Sequence, residues 1–315
     1  MRRPFIIDCD TGTDDALMLA AAVYHDDLDI RAVTSCNGNV GEPIVANNNI
    51  NLLEYFGVKI PVARGAKRPL YDRPVNEGAC HGASGLGDVV IPEAKHGLVS
   101  DVIASELIYQ IAVEEKGELE ILVTGPMTNL ALAIVQHADL PGLIKKLWFM
   151  GGALDGGNMN NSSEFNIWVD PIAAHIVLTS GIAAMTMVGL DVTLKAVMTE
   201  EDIAELRTVG TPAADFAASM LNFMITHAEE RGEGAVMHDA LALGAALDPD
   251  CMTYRSCVMD VEWQGAYTAG RTCLVDRERP EMAPNVRAAV TVDTPRFCRW
   301  LVDSIRKSAV RQGKD

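Results

Sequence analysis

The chain has 315 residues, 49% hydrophobic and 22% charged, the balance of a folded protein with a substantial core. Its net charge of −17, from 26 basic and 43 acidic residues, sets up a field that repels polyphosphates and argues against nucleic acid as a partner. No apolar run approaches the roughly 18 residues of a membrane span, and MRRPFII meets Asp8 before a signal-peptide core can form, so a cytoplasmic protein with no membrane partner is expected.

Strands are predicted over residues 5–8, 30–35, 120–124, 146–150 and 185–188, and helices over 16–24, 44–55, 105–113, 129–135 and 171–178. In the last third, helices are predicted over 200–207, 212–228, 239–246 and 294–307, and strands over 258–263, 271–275 and 286–292. The early strands are runs of β-branched residues and Leu without alternation, which suits a parallel sheet covered on both faces. The β-α-β rhythm predicts an α/β fold with a mostly parallel, doubly wound (Rossmann-like) sheet flanked by helices, and ligand sites at the carboxyl ends of its strands. No linker, composition shift or internal repeat divides the chain, so one domain over residues 1–315 is expected. The Gly-rich stretch 76–88 and the polar stretch 151–163 read as long functional loops. The seven cysteines (Cys9, Cys36, Cys80, Cys251, Cys257, Cys273, Cys298) are odd in number and lack CxxC spacing, the pattern of buried free thiols.

Asp8, Asp10, Asp14 and Asp15 fall within eight residues, at the end of the first strand and the start of the first helix. Alternation puts Asp8 and Asp10 on one side of the strand and Cys9 on the other. Gly12 permits a sharp turn, and Asp14 and Asp15 occupy a first helical turn, where carboxylates are favoured. A helix cap and solvated neighbours would account for one such Asp, but not for four. Two carboxylates about 4 Å apart repel by roughly 4 kcal/mol at an effective dielectric near 20. A crevice holding several must protonate one or bind a cation, and hard oxygen donors select Ca2+ or Mg2+ over zinc.

A strand ending in DxD also opens the haloacid dehalogenase-like phosphatases, which use Mg2+ and a nucleophilic Asp. That scheme gives the Asp14–Asp15 pair no role, and Gly12 stands where it usually has Thr or Val. A non-catalytic ribose- or Ca2+-binding protein is the other alternative. The segment DCDTGTDDA from Asp8 instead resembles the DTDxGxDDA signature of the nucleoside hydrolases, with Cys9 where Thr is common. The resemblance continues through Asn39 in CNGN, TGPMTNLALA from Thr124, MGGA from Met150, EFNIWVDPIAAHIV from Glu164 and MHDALAL from Met237. On these spaced blocks the chain is identified as a member of that family.

The resemblance implies Ca2+-dependent hydrolysis of the N-glycosidic bond of ribonucleosides, a small-molecule substrate class, giving free ribose and a nucleobase. It implies a Ca2+ ion held by Asp10, Asp15, Asp239 and the backbone carbonyl of Thr124, with a water and the ribose 2′- and 3′-hydroxyls completing the shell. Asp10 would deprotonate that water, which attacks the anomeric carbon. Asp14, Asn158, Glu164 and Asn166 would bind ribose, with Asn39 near the water and Asp8 a support rather than a ligand. His238 is the implied general acid, His81 a second candidate near the base, and Met150 and Phe165 would line the pocket. Relatives form dimers or tetramers, so a homo-oligomer is expected. Trp168 and Trp263 read as packing residues. The segment THAEERGEGAVMHD (226–239) carries Thr226, His227 and Glu230, with no aromatic to stack on a purine, so pyrimidine or broad ribonucleoside use is expected.

Overall fold

The computed structural model describes residues 2–73, 80–231 and 234–312, with backbone alone at 228–231 and 311–312. Apolar runs too short for helices form the strands, and the longer periodic segments between them form the helices. From the amino terminus, β1 (Arg3–Cys9) leads into α1 (Thr13–Ala22), β2 (Leu28–Ser35), α2 (Glu42–Tyr55) and β3 (Val62–Ala63). There follow α3 (Ala104–Glu115), β4 (Leu119–Val123), α4 (Thr128–Gln136), α5 (Leu140–Leu143), β5 (Ile144–Met150), α6 (Phe165–Val169), α7 (Pro171–Leu178) and β6 (Met185–Val188). The last third begins with α8 (Leu190–Thr193), β7 (Val197–Met198), α9 (Glu200–Arg207), α10 (Pro212–Arg231), β8 (Ala235–Val236) and α11 (Asp239–Leu247). It closes with β9 (Met252–Cys257), β10 (Met259–Glu262), β11 (Arg271–Leu274), β12 (Val286–Val292), α12 (Thr294–Arg306) and α13 (Ser308–Gln312).

The main sheet has eight strands in the order β3-β2-β1-β4-β5-β6-β12-β9, all parallel to their neighbours except β9. The first six follow the doubly wound order, as expected, and the order reverses between β1 and β4. A crevice therefore opens at the carboxyl ends of those two strands. Phe5 and Ile7 of β1 face one core, shared with α1, α10, α11 and α12, while Ile6 faces the other, shared with α3, α4 and α7. All ten residues of α1 are buried. A helix that is apolar nearly all round has to lie inside the protein, and this one carries Asp14 and Asp15 inside with it.

Several elements escape a periodicity reading. The antiparallel edge strand β9, sequence MTYRSC, buries only its two end residues fully, so it has no apolar run to mark it. The short β3, β7, β8, α6 and α8 fall below the length at which a period can be counted. Trp168 packs as expected, its ring 4.0 Å below the Arg73 guanidinium, but Trp263 is 37% exposed and only tilts against His175. All seven cysteines are free; Cys80 is exposed and Cys273 half-buried, the rest buried. The loop prediction at 76–79 lies outside the described residues. Among those described, no helix is long and apolar enough to cross a membrane.

Asp170 ties the wall of the crevice together. It caps α7 through Ala173 N, and its other oxygen accepts from Leu70 N (2.7 Å) and Thr128 Oγ1 (2.8 Å). Replacing it strands three donors, two of them on the buried residues Thr128 and Ala173, so Asp170→Ala should lower unfolding stability by about 2–4 kcal/mol in urea titration. A loss under about 0.5 kcal/mol, the level of an ordinary surface change, would show that the cap is dispensable.

Candidate active site

The carboxyl end of β1 delivers Asp10, the first turn of α1 delivers Asp14 and Asp15, and the first residue of α11 delivers Asp239. Oxygens of Asp14, Asp15 and Asp239 lie within 4.8 Å of one another, and all three side chains are buried. Asp10 lies beside this trio, 1% exposed. Its Oδ2 accepts from the Asn39 backbone N–H at 2.8 Å, while its buried Oδ1 has no hydrogen-bond partner among the described residues. Glycines make room for it: a Cβ on Gly38 would sit 1.8 Å from Asp10 Oδ2, and one on Gly125 2.8 Å from Oδ1.

Asp15 is the most heavily held of the four. Gly12 N and Asn39 Nδ2 donate to its Oδ2 (2.9 and 3.3 Å), and Thr124 Oγ1 donates to its Oδ1 (2.7 Å). Even so, burial and then the charge of Asp14 push its carboxyl up to about 7. Burial and neighbouring carboxylates hold Asp10 and Asp239 well above the usual carboxylate range as well. Asp8 stands apart: its Oδ1 accepts from Thr34 Oγ1 and Asn129 Nδ2, and it braces the end of β1. Burial pushes it to about 6. An all-oxygen donor set, a buried carboxylate oxygen with no partner and mutual repulsion together fit a hard divalent cation.

Above this floor lies a cleft of about 560 Å³. It is lined by Asp14, Asn39, His81, Thr124, Met150, Asn158, Glu164, Phe165, Asn166, His238 and Asp239, so it gathers every predicted site residue except Asp10 and Asp15, which lie beneath. Glu164 precedes α6 and accepts from Asn166 N, Ile167 N and Gly152 N. Burial pushes it up to about 7 against those three bonds. Asn158 Oδ1 accepts from Phe165 N at 2.9 Å, and Asn166 Nδ2 donates to the Thr124 carbonyl at 2.8 Å. His81 Nδ1 accepts from Thr13 N at 3.1 Å, and His238 Nδ1 lies 2.8 Å from Thr193 Oγ1.

The remaining wall is built by Leu194, Val197, Phe223, Met224, His227 and Val236, of which only His227 and Val236 fall in the segment 226–239 singled out from the sequence. The expected lack of an aromatic partner is corrected here: Phe223 lines the cleft, one helical turn before His227, with their rings 4.0 Å apart. The spacing i, i+4 on one face of α10 carries the signal, and a window opening at Thr226 starts three residues too late to include it. The side chain of Glu230 lies outside the described residues.

Comparison with known proteins agrees with this geometry. Residues 5–299 match the family described as inosine-uridine preferring nucleoside hydrolase. The pyrimidine-specific ribonucleoside hydrolase RihA of Photobacterium profundum is 40% identical over 281 residues, covering 88% of this chain and 90% of that protein. The RihA of Escherichia coli O81 is 36% identical over 97% of this chain and 99% of its own length. Among solved structures, a purine-preferring ribonucleoside hydrolase from Gardnerella vaginalis superposes with a TM-score of 0.92 at 32% identity, over 98% of this chain and 99% of that one. A plant nucleoside hydrolase, PpNRh1, gives 0.87 at 30% over 97% and 99%. The chain belongs to the nucleoside hydrolase family and is a hydrolase of N-glycosyl bonds, which displaces the phosphatase and simple binding-protein readings.

The raised carboxyls make a testable sign. Without an ion, the folded protein binds more protons than the unfolded chain from the ordinary carboxylate value near 4 up to about 7, so their contribution to stability falls as pH rises through that window. A cation that replaces those protons should stabilise most above it. Ca2+ added to chelator-treated protein should raise the thermal midpoint several-fold more at about pH 8 than at about pH 5.5. Equal shifts at both pH values, or none, would refute the carboxylate cluster as a cation site.

Proposed function

We propose that the chain hydrolyses the N-glycosidic bond of pyrimidine ribonucleosides in one catalytic domain over residues 1–315, using Ca2+ in the carboxylate cluster. The observation that carries this is the unpartnered buried Oδ1 of Asp10 beside the Asp14–Asp15–Asp239 trio, beneath a cleft walled with polyol-binding side chains. Asp10, Asp15, Asp239 and the Thr124 carbonyl would hold the ion; that carbonyl keeps a second lone pair beyond its bond from Asn166. When bound, Ca2+ supplies Lewis acidity toward water and an anchor for neutral hydroxyls in a loose oxygen shell.

The side chains supply the rest. With Oδ2 fixed by Asn39, Asp10 takes the proton of the attacking water on Oδ1. Asn158 spends its amide oxygen on Phe165 N and offers its NH2 to the sugar, whereas Asn166 spends its NH2 on Thr124 and offers its oxygen. Asp14 and Glu164 stabilise the positive charge that develops on the ribose. His81 accepts from Thr13 N at Nδ1, which leaves the neutral ring's proton on Nε2 to donate a hydrogen bond to the base. His238, whose Nδ1 faces a hydroxyl able to give or take, is the general acid.

The pyrimidine assignment rests on the two RihA relatives, which are more similar in sequence than the purine-preferring structural relative. Ribose release should be faster from uridine and cytidine than from inosine and adenosine, and a chelator should suppress it. Asp10→Ala should lower it by roughly three orders of magnitude. Faster cleavage of inosine would reverse the base assignment, and no ribose from any nucleoside would defeat the activity. Deoxyuridine leaves sugar-binding groups unpaired and should be cleaved at least about tenfold less efficiently than uridine; equal rates would remove the 2′-hydroxyl from the recognition scheme.

A further inference from the structure

His227 lines the cleft but takes no part in the chemistry assigned above. Its Nδ1 lies 3.0 Å from the carbonyl of Phe223, four residues earlier on α10. A carbonyl oxygen only accepts, so Nδ1 carries the proton and donates it. In the neutral ring the lone pair then belongs to Nε2, on the side turned away from the helix backbone that engages Nδ1. No described residue donates to Nε2. The ring also packs tilted against Phe223, centroids 4.0 Å apart and planes 33° from parallel, which limits its rotation.

His81 has the opposite polarity. Its Nδ1 accepts from a backbone N–H, which only donates, so its proton sits on Nε2. Main-chain groups thus favour opposite tautomers for two histidines of one cleft.

We propose that His227 is a base-specificity residue whose Nε2 accepts a hydrogen bond from an N–H on the edge of the leaving base. The ligand class is a nucleoside whose base carries such a donor: the N3–H of uracil or the 4-amino group of cytosine. This rests on the nucleoside hydrolase reading and deepens it. An acceptor fixed in place before binding rewards a donor and is left unpaired by a base that lacks one.

The probe is 3-methyluridine, which keeps the sugar and both carbonyls of uridine but loses N3–H. At about pH 8, wild-type kcat/KM should favour uridine by about tenfold or more, expressed mainly in KM. His227→Phe keeps a ring on Phe223 without an acceptor, and should bring the ratio toward one by losing uridine. His227→Gln presents an amide oxygen and should restore most of the preference. A wild type that cleaves both equally overturns the proposal, as does a His227→Phe variant that discriminates as strongly as wild type, since the methyl is then excluded by bulk alone. The 15N spectrum of ligand-free wild type should show His227 protonated at Nδ1 and His81 at Nε2; the reverse pattern at His227 overturns the proposal whatever the kinetics. Failure to release ribose from uridine itself would defeat the activity reading, and the spectrum would still report the tautomer.

Discussion

Four carboxylates, Asp10, Asp14, Asp15 and Asp239, are gathered out of water at the point where the strand order reverses, and their mutual repulsion governs the rest of the site. A pair about 4 Å apart repels by roughly 4 kcal/mol in a partly polar interior. The amino-terminal ends of α1 and α11 both point into the cluster, and such helix ends return only about 0.3–1 kcal/mol each. Net gains from the bonds of Gly12, Asn39 and Thr124 are of order 1–3 kcal/mol apiece. The protein alone does not balance the charge, so protons or a cation must. That imbalance is sustained by a fold able to bear it: α1 is packed on every side, and two glycines let the chain pass against Asp10.

The sugar side of the cleft meets a second demand, that polar groups be aimed before substrate arrives. Glu164, Asn158 and Asn166 each give part of their hydrogen-bonding capacity to the backbone and keep the remainder for a ligand. The β10–β11 hairpin supports this wall through Thr272, whose hydroxyl bonds both the N–H and the carbonyl of Ala153. Asp170 holds the segment after α6 to the loop at Leu70. The groups that would touch ribose are therefore fixed by main-chain contacts on elements rooted in the sheet.

Much of this was legible in the sequence because the relevant signals are local. The strand β1, the turn at Gly12 and the paired Asp14–Asp15 sit within one short segment, and alternation placed Asp8 with Asp10 and Cys9 opposite. Several elements, α7, β6 and β12 among them, have the predicted bounds because their apolar runs end sharply, and α9 has them because Thr199 and Asp202 cap its start. The base-facing wall was not legible in the same way. Leu194, Val197, Phe223 and Val236 come from four separate elements or their edges and meet only through tertiary packing. Nor could any pattern of residue types show that a histidine's tautomer is set by a backbone group, since that depends on which atom lies 3 Å away.

The division between these two walls has a consequence for descent. The residues proposed to handle the sugar lie on strand ends and buried helix starts, where a substitution disturbs a charge or a backbone contact. The wall proposed to meet the base is built by α10 and the short segments around it. Selection can rewrite the second without disturbing the first, so a lineage can change its diet while its hydrolytic machinery stays unaltered. That the same architecture houses relatives described as pyrimidine-specific and as purine-preferring is what such a partition would produce.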